Sequence, residues 1–211
     1  MIFSIENGWS SLAADEIDTI EEALAAEEEA AAHVYVSTGL KAGTDLILWR
    51  LSQEPEELQR RHLQLLARTH NRLREVAMYT GASMRSTYTG EEGEFNYLTD
   101  HTKRGKYLSV YPFTKTPEWY LIDQTERRRI MGEHISIGRK FPGVRQTLLY
   151  SFGADDQEFI VAYEMDDLRY YIQCVMALRE SESRKYTLRD TPVYTGIRSR
   201  ALELGNIVGV R

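Results

Sequence analysis

Three side chains in the second half of the chain, those of Tyr111, Lys115 and His134, have the chemistry of a redox site. Tyr111 and Lys115 lie four residues apart at the end of one apolar run, Trp119 follows four residues later, and His134 comes further along. A phenol can transfer an electron together with a proton, and an ammonium group can anchor a carboxylate. An imidazole can ligate a metal ion. Together these residue types indicate oxidation chemistry at a metal centre.

His134 lies on the apolar stripe of a predicted helix. Ile130, His134, Ile137 and Phe141 follow each other at i, i+4, i+7 and i+11. An imidazole in that stripe is either a core histidine with a hydrogen-bond partner or a ligand. One imidazole is too few for a structural zinc site. It is enough for a haem, which brings four nitrogens and needs one axial ligand from the protein.

The other candidate residues each have a structural interpretation beside the functional one. Glu180 and Glu182 could accept a hydrogen bond from a ligating imidazole, or they could be solvated residues at the end of the last helix. Tyr111 could pack in the core as a strand aromatic, and Lys115 could be a surface cation. Because Pro112 excludes a helix here, the even spacing of the two puts them on one strand face.

The hydrophobic periodicity shows the same order of elements twice, β-α-β-β-α-β. The first half has strand patterns at 1–5, 33–37, 45–51 and 75–84, and helix patterns at 10–31 and from 54. After a polar connector at 86–106, the second half has strands at 107–113, 144–152, 158–165 and about 191–197, and helices at 123–141 and from 166. This predicts an α+β fold of two tandem ferredoxin-like units with antiparallel sheets, residues 1–100 and 101–211.

Composition limits the class of protein. The chain has 211 residues and a formal net charge of −6, which argues against non-specific nucleic-acid binding. The single cysteine, Cys174, excludes an intrachain disulfide framework and a multi-thiolate metal site. The pattern of a signal peptide is not present at the N-terminus, and no apolar stretch has the length of a membrane span. These features predict a soluble cytoplasmic protein.

Several motifs resemble the chlorite dismutase and coprohaem decarboxylase superfamily over nearly the whole chain. The matching stretches are 39–49, 111–121, 127–134, 151–159 and 191–196. This resemblance implies two ferredoxin-like halves per subunit and a haem-type ligand in the C-terminal half. It also implies a ring-shaped homo-oligomer, commonly a pentamer.

The resemblance also assigns roles to individual residues. His134 matches the proximal iron ligand and Glu182 the carboxylate that is hydrogen bonded to it. Lys115 matches the lysine beside the propionates, and Trp119 the tryptophan near the ring. Tyr111 separates the two branches: chlorite dismutases carry an aliphatic residue in a motif such as Ile-Pro-Ile-Lys-Lys, whereas coprohaem decarboxylases carry Tyr-Pro-x-x-Lys. The tyrosine of that second motif becomes the radical that attacks the propionates.

The chain departs from both branches on the distal side of the ring. The distal residue, arginine in chlorite dismutases and glutamine in many decarboxylases, falls thirteen residues after the proximal histidine, and here that position is Thr147. Gln146 precedes it, and Arg145 lies two residues earlier on the same strand face, so a slip of one or two residues restores either side chain. Arg145 is the side chain expected to make the distal or propionate contact.

The function implied is peroxide-dependent oxidative decarboxylation of iron-coproporphyrin III to haem b through a radical on Tyr111. The partners would be the porphyrin and peroxide, in a homo-oligomer. A chlorite dismutase or haem peroxidase is the alternative, and it would need Arg145 to face the open coordination position. A non-catalytic haem or porphyrin carrier is a third interpretation, in which Tyr111 only packs.

Overall fold

The computed structural model describes residues 1–86, 88 and 104–209. They form two compact units, one of residues 1–78 with the chain from Tyr194 onward, the other of residues 79–193. The boundary predicted between residues 100 and 101 lies outside the described residues, as does most of the predicted polar connector. The predicted division at residues 100 and 101 therefore stays a prediction.

Nine strands and six α-helices make up the regular structure of the described residues. The strands are β1 (Ile2–Ile5), β2 (His33–Val36), β3 (Leu46–Trp49), β4 (Leu73–Ala77), β5 (Tyr107–Lys115), β6 (Val144–Tyr150), β7 (Phe159–Met165), β8 (Thr187–Arg189) and β9 (Tyr194–Arg198). The helices are α1 (Ala14–Glu29), α2 (Pro55–Arg68), α3 (Pro117–Leu121), α4 (Gln124–Gly138), α5 (Leu168–Arg179) and α6 (Leu204–Ile207). Short 3₁₀ turns include Glu182–Tyr186.

The first unit is a ferredoxin-like sheet in the order β4-β1-β3-β2, antiparallel throughout. Helix α1 buries Ile17, Ile20 and Leu24 in the core of this unit, as its sequence pattern predicts. Strand β9 extends the sheet beside β2, so the expectation that this segment completes the second unit is wrong. The approach is close, because a Cβ atom at Gly196 would lie 2.8 Å from the Cβ atom of Tyr35.

The second unit has the strand order β8-β5-β7-β6, again antiparallel, which is the order of a ferredoxin-like sheet. Along one rung Tyr111 of β5 lies opposite Val161 of β7, and Val161 lies opposite Leu148 of β6. Since alternate residues of a strand share a face, this register fixes which side chains of the three strands line one surface of the sheet. The predicted α+β class with antiparallel sheets is confirmed.

Aspartates cap the first turns of the two longer helices of the second unit. Asp123 accepts a hydrogen bond from the backbone N–H of Thr125 at 2.7 Å at the start of α4, and Asp167 accepts one from Arg169 at 2.8 Å at the start of α5. Over the residues that the structure describes, we find no helix both long and apolar enough to cross a membrane.

Candidate active site

The second unit contains a cavity of about 350 Å³. Its walls include alternate residues of β5, β6 and β7, residues of α3, one face each of α4 and α5, and the segment that follows α5. Four of the residues predicted from sequence line it together: Tyr111, Lys115, Trp119 and His134. A strand end, a short helix and a long helix therefore bring the phenol, the ammonium group, the indole and the imidazole to one site.

His134 is a neutral imidazole held through one ring nitrogen. Its Nδ1 atom lies 3.0 Å from the hydroxyl oxygen of Ser183 and 3.3 Å from that of Ser181. Burial, with a smaller contribution from the charge of Lys115, lowers the pKa of His134 to about 4. In the described part of the chain Nε2 has no hydrogen-bond partner. It is therefore the nitrogen that can ligate a metal ion.

The structure corrects the partner expected for His134. The carboxylate of Glu182 pairs with Arg129 at 2.5 Å and with Lys185 at 3.3 Å, and does not contact the imidazole. In the 3₁₀ turn Ser181 and Ser183 point inward and are buried, while the residue between them points outward. The imidazole is thus held by hydroxyl groups, which are weaker acceptors than a carboxylate.

Tyr111 is a neutral, partly buried phenol beside two buried tyrosines. Its hydroxyl is hydrogen bonded to that of Tyr163, and the two ring centroids are 6.3 Å apart. The ring of Tyr171 follows, 5.3 Å from that of Tyr163. Burial raises the pKa of Tyr111 well above its ordinary value. The phenol therefore loses its proton most readily together with an electron, as a hydrogen-atom donor must.

Lys115 is a buried cation against aromatic rings. Its side chain is 8% exposed, and Nζ lies 4.4 Å from the ring centroid of Trp119 and 5.3 Å from that of Phe113. Nζ donates a long hydrogen bond of 3.5 Å to the carbonyl of Ser183. Burial lowers the pKa of Lys115 to about 8, and the charge of Glu158 partly offsets this. Its ammonium group has no carboxylate bonded to it in the described residues, so it can bind an incoming one.

Of the three consecutive β6 residues Arg145, Gln146 and Thr147, Gln146 is the one in the cavity wall. It lies opposite Tyr163 in the sheet and shares the cavity face with Leu148. Thr147 is buried in the other face at 6% exposed, and Arg145 has the same phase as Thr147. Arg145 and Thr147 are therefore not among the described residues that line the cavity, and the roles expected of them stay predictions. The difference from the expected position is a slip of one residue, which moves a side chain to the opposite side of a sheet.

Three arginines in the cavity wall were missed by the sequence reading. Arg127 lines the cavity from α4, and Arg179 and Arg184 line it from the end of α5 and the turn after it. These last two share one carboxylate, Asp190, at 2.9 and 2.7 Å. Helical spacing offered a signal for Arg127 alone, because it precedes His134 by seven residues, or two turns.

The donor set fits a porphyrin better than a bare metal ion. With Lys115, the described lining residues carry four cationic side chains against one carboxylate, Asp190. The described ranges contain no group of three His, Cys, Asp or Glu side chains that could hold a metal ion by themselves. A metal bound at His134 would therefore need ligands from a cofactor, and an anionic macrocycle would also match the cationic wall.

Comparison with known proteins gives the family. The family model described as chlorite dismutase matches residues 11–199. The coprohaem decarboxylase of Mycolicibacterium smegmatis is 28% identical over 203 residues, covering 93% of this chain and 87% of that protein. The coprohaem decarboxylase of Staphylococcus carnosus is 31% identical over 165 residues, covering 71% of this chain and 66% of that protein.

Solved structures agree on the fold. A crystal structure of a putative chlorite dismutase has a TM-score of 0.85 and 25% identity, covering 98% of this chain and 96% of the other. The chlorite dismutase of Candidatus Nitrospira defluvii in complex with imidazole has a TM-score of 0.84 and 23% identity, covering 98% and 92%. The chain therefore belongs to the chlorite dismutase family, close to its coprohaem decarboxylases, and is a haem-dependent enzyme of the oxidoreductase type.

Proposed function

We propose that this protein converts iron-coproporphyrin III to haem b by two peroxide-dependent oxidative decarboxylations. The observation that carries the proposal is a neutral, partly buried phenol, Tyr111, in the same cavity as the neutral imidazole of His134. In each round one propionate, one peroxide and one proton become a vinyl group, carbon dioxide and two water molecules. The propionate loses two electrons, which peroxide accepts.

His134 would hold the iron through Nε2, since hydroxyl groups occupy Nδ1. Its low pKa keeps the imidazole neutral, so no proton competes with iron at neutral pH. Peroxide is the oxidant, and the iron porphyrin, when bound, would be the group that reacts with it. The protein's contribution is to fix the ring relative to the groups that react with its side chains.

Tyr111 would act as the hydrogen-atom acceptor after oxidation. Having lost one electron and its proton, it takes a hydrogen atom from the propionate side chain and returns to the phenol. Loss of a second electron from the substrate breaks the bond to the carboxylate carbon, and carbon dioxide leaves. The hydrogen bond to Tyr163 keeps the Tyr111 oxygen in one position during these steps.

Lys115 and the arginines would bind the four carboxylates of the substrate. The ammonium group of Lys115 has no carboxylate partner in the described residues, so no ion pair there has to break when a propionate binds. Burial against Trp119 excludes water and strengthens that contact. Lys115 is our candidate for the group that holds the reacting propionate.

Gln146 favours decarboxylation over chlorite turnover. A leaving hypochlorite anion is best held by a guanidinium group, and the residue of 145–147 that lines the cavity has a neutral amide. Arg145, on which the chlorite dismutase alternative depended, has the strand phase of the opposite face.

We also propose a cytoplasmic homo-oligomer, a pentamer, as the family resemblance implies. Light scattering of the purified protein would measure its mass in solution.

A peroxide titration tests the function. The protein is loaded with iron-coproporphyrin III, peroxide is added in steps, and the porphyrin mass is followed. Stepwise loss of two carboxyl groups is the expected result, and an unchanged mass would remove the proposal. Oxygen release from chlorite would favour a chlorite dismutase instead. A ferric complex inert to both oxidants would favour a carrier.

A further inference from the structure

We propose that Arg127 anchors one carboxylate of the porphyrin and so contributes to selection of a tetracarboxylate substrate. The inference rests on the proposed function for the identity of the ligand. It concerns a residue of α4 to which neither the motifs nor the resemblance gave a role. Three consecutive arginines, Arg127, Arg128 and Arg129, occupy this helix, and their surroundings differ.

Helix geometry puts Arg127 on the cavity side with His134. Arg127, Met131 and His134 line the cavity at i, i+4 and i+7. Seven residues at 1.5 Å each separate Arg127 from His134 by about 10 Å along the helix axis. This separation is comparable to the distance from the centre of a porphyrin to the carboxylates at its rim. An iron held by His134 would thus bring a rim carboxylate within reach of a long arginine side chain.

The guanidinium group of Arg127 has unused donors in the described part of the chain. Its Nε atom is buried and has no hydrogen-bond partner, and no described carboxylate forms a salt bridge with it. A buried charged donor without a partner destabilises the protein. Arg129, by contrast, is paired with Glu126 at 2.6 Å and Glu182 at 2.5 Å, and Arg128 is exposed.

Glu158, the acidic residue hydrogen bonded to the cavity-lining Tyr120, is already engaged. The carboxylate of Glu158 accepts a hydrogen bond from the Tyr120 hydroxyl at 2.6 Å and one from the backbone N–H of Lys115 at 2.7 Å. Arg127 acts on Tyr120 only through its charge, which partly opposes the rise in the pKa of that phenol caused by burial and Glu158. A planar guanidinium fork with free donors matches a carboxylate in two-point geometry.

Binding measurements on matched variants test the proposal. Arg127→Gln is compared with Arg128→Gln, which makes the same change one residue along on the exposed side. Affinities for iron-coproporphyrin III, with four carboxylates, and haem b, with two, are measured by absorbance titration without peroxide. We expect Arg127→Gln to weaken binding of iron-coproporphyrin roughly tenfold to a hundredfold, the range for a charged hydrogen bond, and Arg128→Gln to leave it unchanged.

Each result of these titrations either supports or overturns the proposal. Weaker binding of iron-coproporphyrin alone supports the proposal and assigns the anchored carboxylate to those that the reaction removes; an equal loss with haem b would overturn the contribution of Arg127 to selection of a tetracarboxylate. Equal affinities of wild type and Arg127→Gln, or equal losses in the two variants, would overturn it. If Arg127→Gln fails to fold, Arg127→Lys replaces it, and wild-type affinity there would also overturn the two-point contact. Binding that depends on Arg127 without decarboxylation would remove the proposed function and leave this inference standing.

Discussion

The Nδ1 atom of His134 lies 3.0 Å from the hydroxyl oxygen of Ser183. That hydroxyl lies 2.9 Å from the hydroxyl of Ser181, which donates to the carbonyl of Leu178 at 2.7 Å. These groups form a row of hydrogen bonds from the imidazole of His134 to the carbonyl of Leu178, near the end of α5. If Nδ1 carries the imidazole proton, each donor in the row has an acceptor. The arrangement favours the tautomer whose Nε2 lone pair is free to bind iron.

Ser183→Ala should therefore change the tautomer of His134. Removing one neutral hydrogen bond costs about 1 kcal/mol, so we expect the affinity for an iron porphyrin to fall about fivefold. Nitrogen-15 NMR of the iron-free protein should show a smaller fraction of the Nδ1-protonated form. Glu182→Gln is the matched control, since its carboxylate contacts Arg129 and Lys185. If the fraction of Nδ1-protonated His134 changes in Glu182→Gln and not in Ser183→Ala, the two serine hydroxyls do not set the tautomer.

His134→Ala should remove the axial ligand while leaving the cavity. We expect the absorption spectrum of the ferric complex to change, and added imidazole to restore part of it by occupying the vacated space. Because burial keeps the pKa of His134 near 4, iron binding to the native protein should weaken only below about pH 4, where protonation competes with the metal. A spectrum that is the same in the variant and the native protein would exclude His134 as the ligand.

Tyr111→Phe should abolish decarboxylation without preventing binding. The phenyl ring keeps the shape and loses the transferable hydrogen atom, so we expect carbon dioxide release to fall at least about a hundredfold, the lower range for loss of a proton-transfer group. Tyr163→Phe is the comparison, because it removes only the hydrogen bond to Tyr111 and should slow the reaction less. Full turnover by Tyr111→Phe would exclude the radical role and leave the activity to another residue.

Gln146→Leu should alter reactions on the distal side, whereas Thr147→Val should not. The two changes are of similar type on adjacent residues, but only Gln146 lines the cavity. We expect the rate of peroxide reaction with the iron complex to fall about tenfold or more in Gln146→Leu, as a hydrogen-bond donor near the reacting oxygen is lost. Stopped-flow absorbance would measure it. The reverse ranking of the two variants would restore the strand phase predicted from sequence.

Substrate binding should depend on pH through Lys115. Its folded pKa of about 8 lies below the ordinary value of 10.5, so the ammonium form predominates below pH 8 and is lost as the pH rises through it. Porphyrin carboxylates stay ionised over this range. The affinity for metal-free coproporphyrin should therefore be highest near pH 7 and fall towards pH 9. Lys115→Met should bind more weakly at pH 7 and show a flatter profile; a steep fall in both proteins would assign the effect to another group.

The amino-acid sequence alone predicts the elements of secondary structure, the chemistry of the site and the family of this protein. Periods of two and of about 3.6 predict its strands and helices, and the caps Asp123 and Asp167 predict helix starts, because these signals act between neighbours in the chain. The spacing of Tyr111, Lys115 and His134 likewise indicates the chemistry, and these residues line one cavity. Motif order over the whole length indicates the family.

Tertiary structure decided which of several adjacent residues faces the cavity. A strand reverses its face at every residue, so Gln146 rather than Thr147 enters the site. A 3₁₀ turn directs two serines inward and Glu182 outward, and helical phase selects Arg127 from three arginines. β9 joins the first unit because β2 offers it a sheet edge. These outcomes depend on register and phase set by distant parts of the chain, and a local pattern does not contain them.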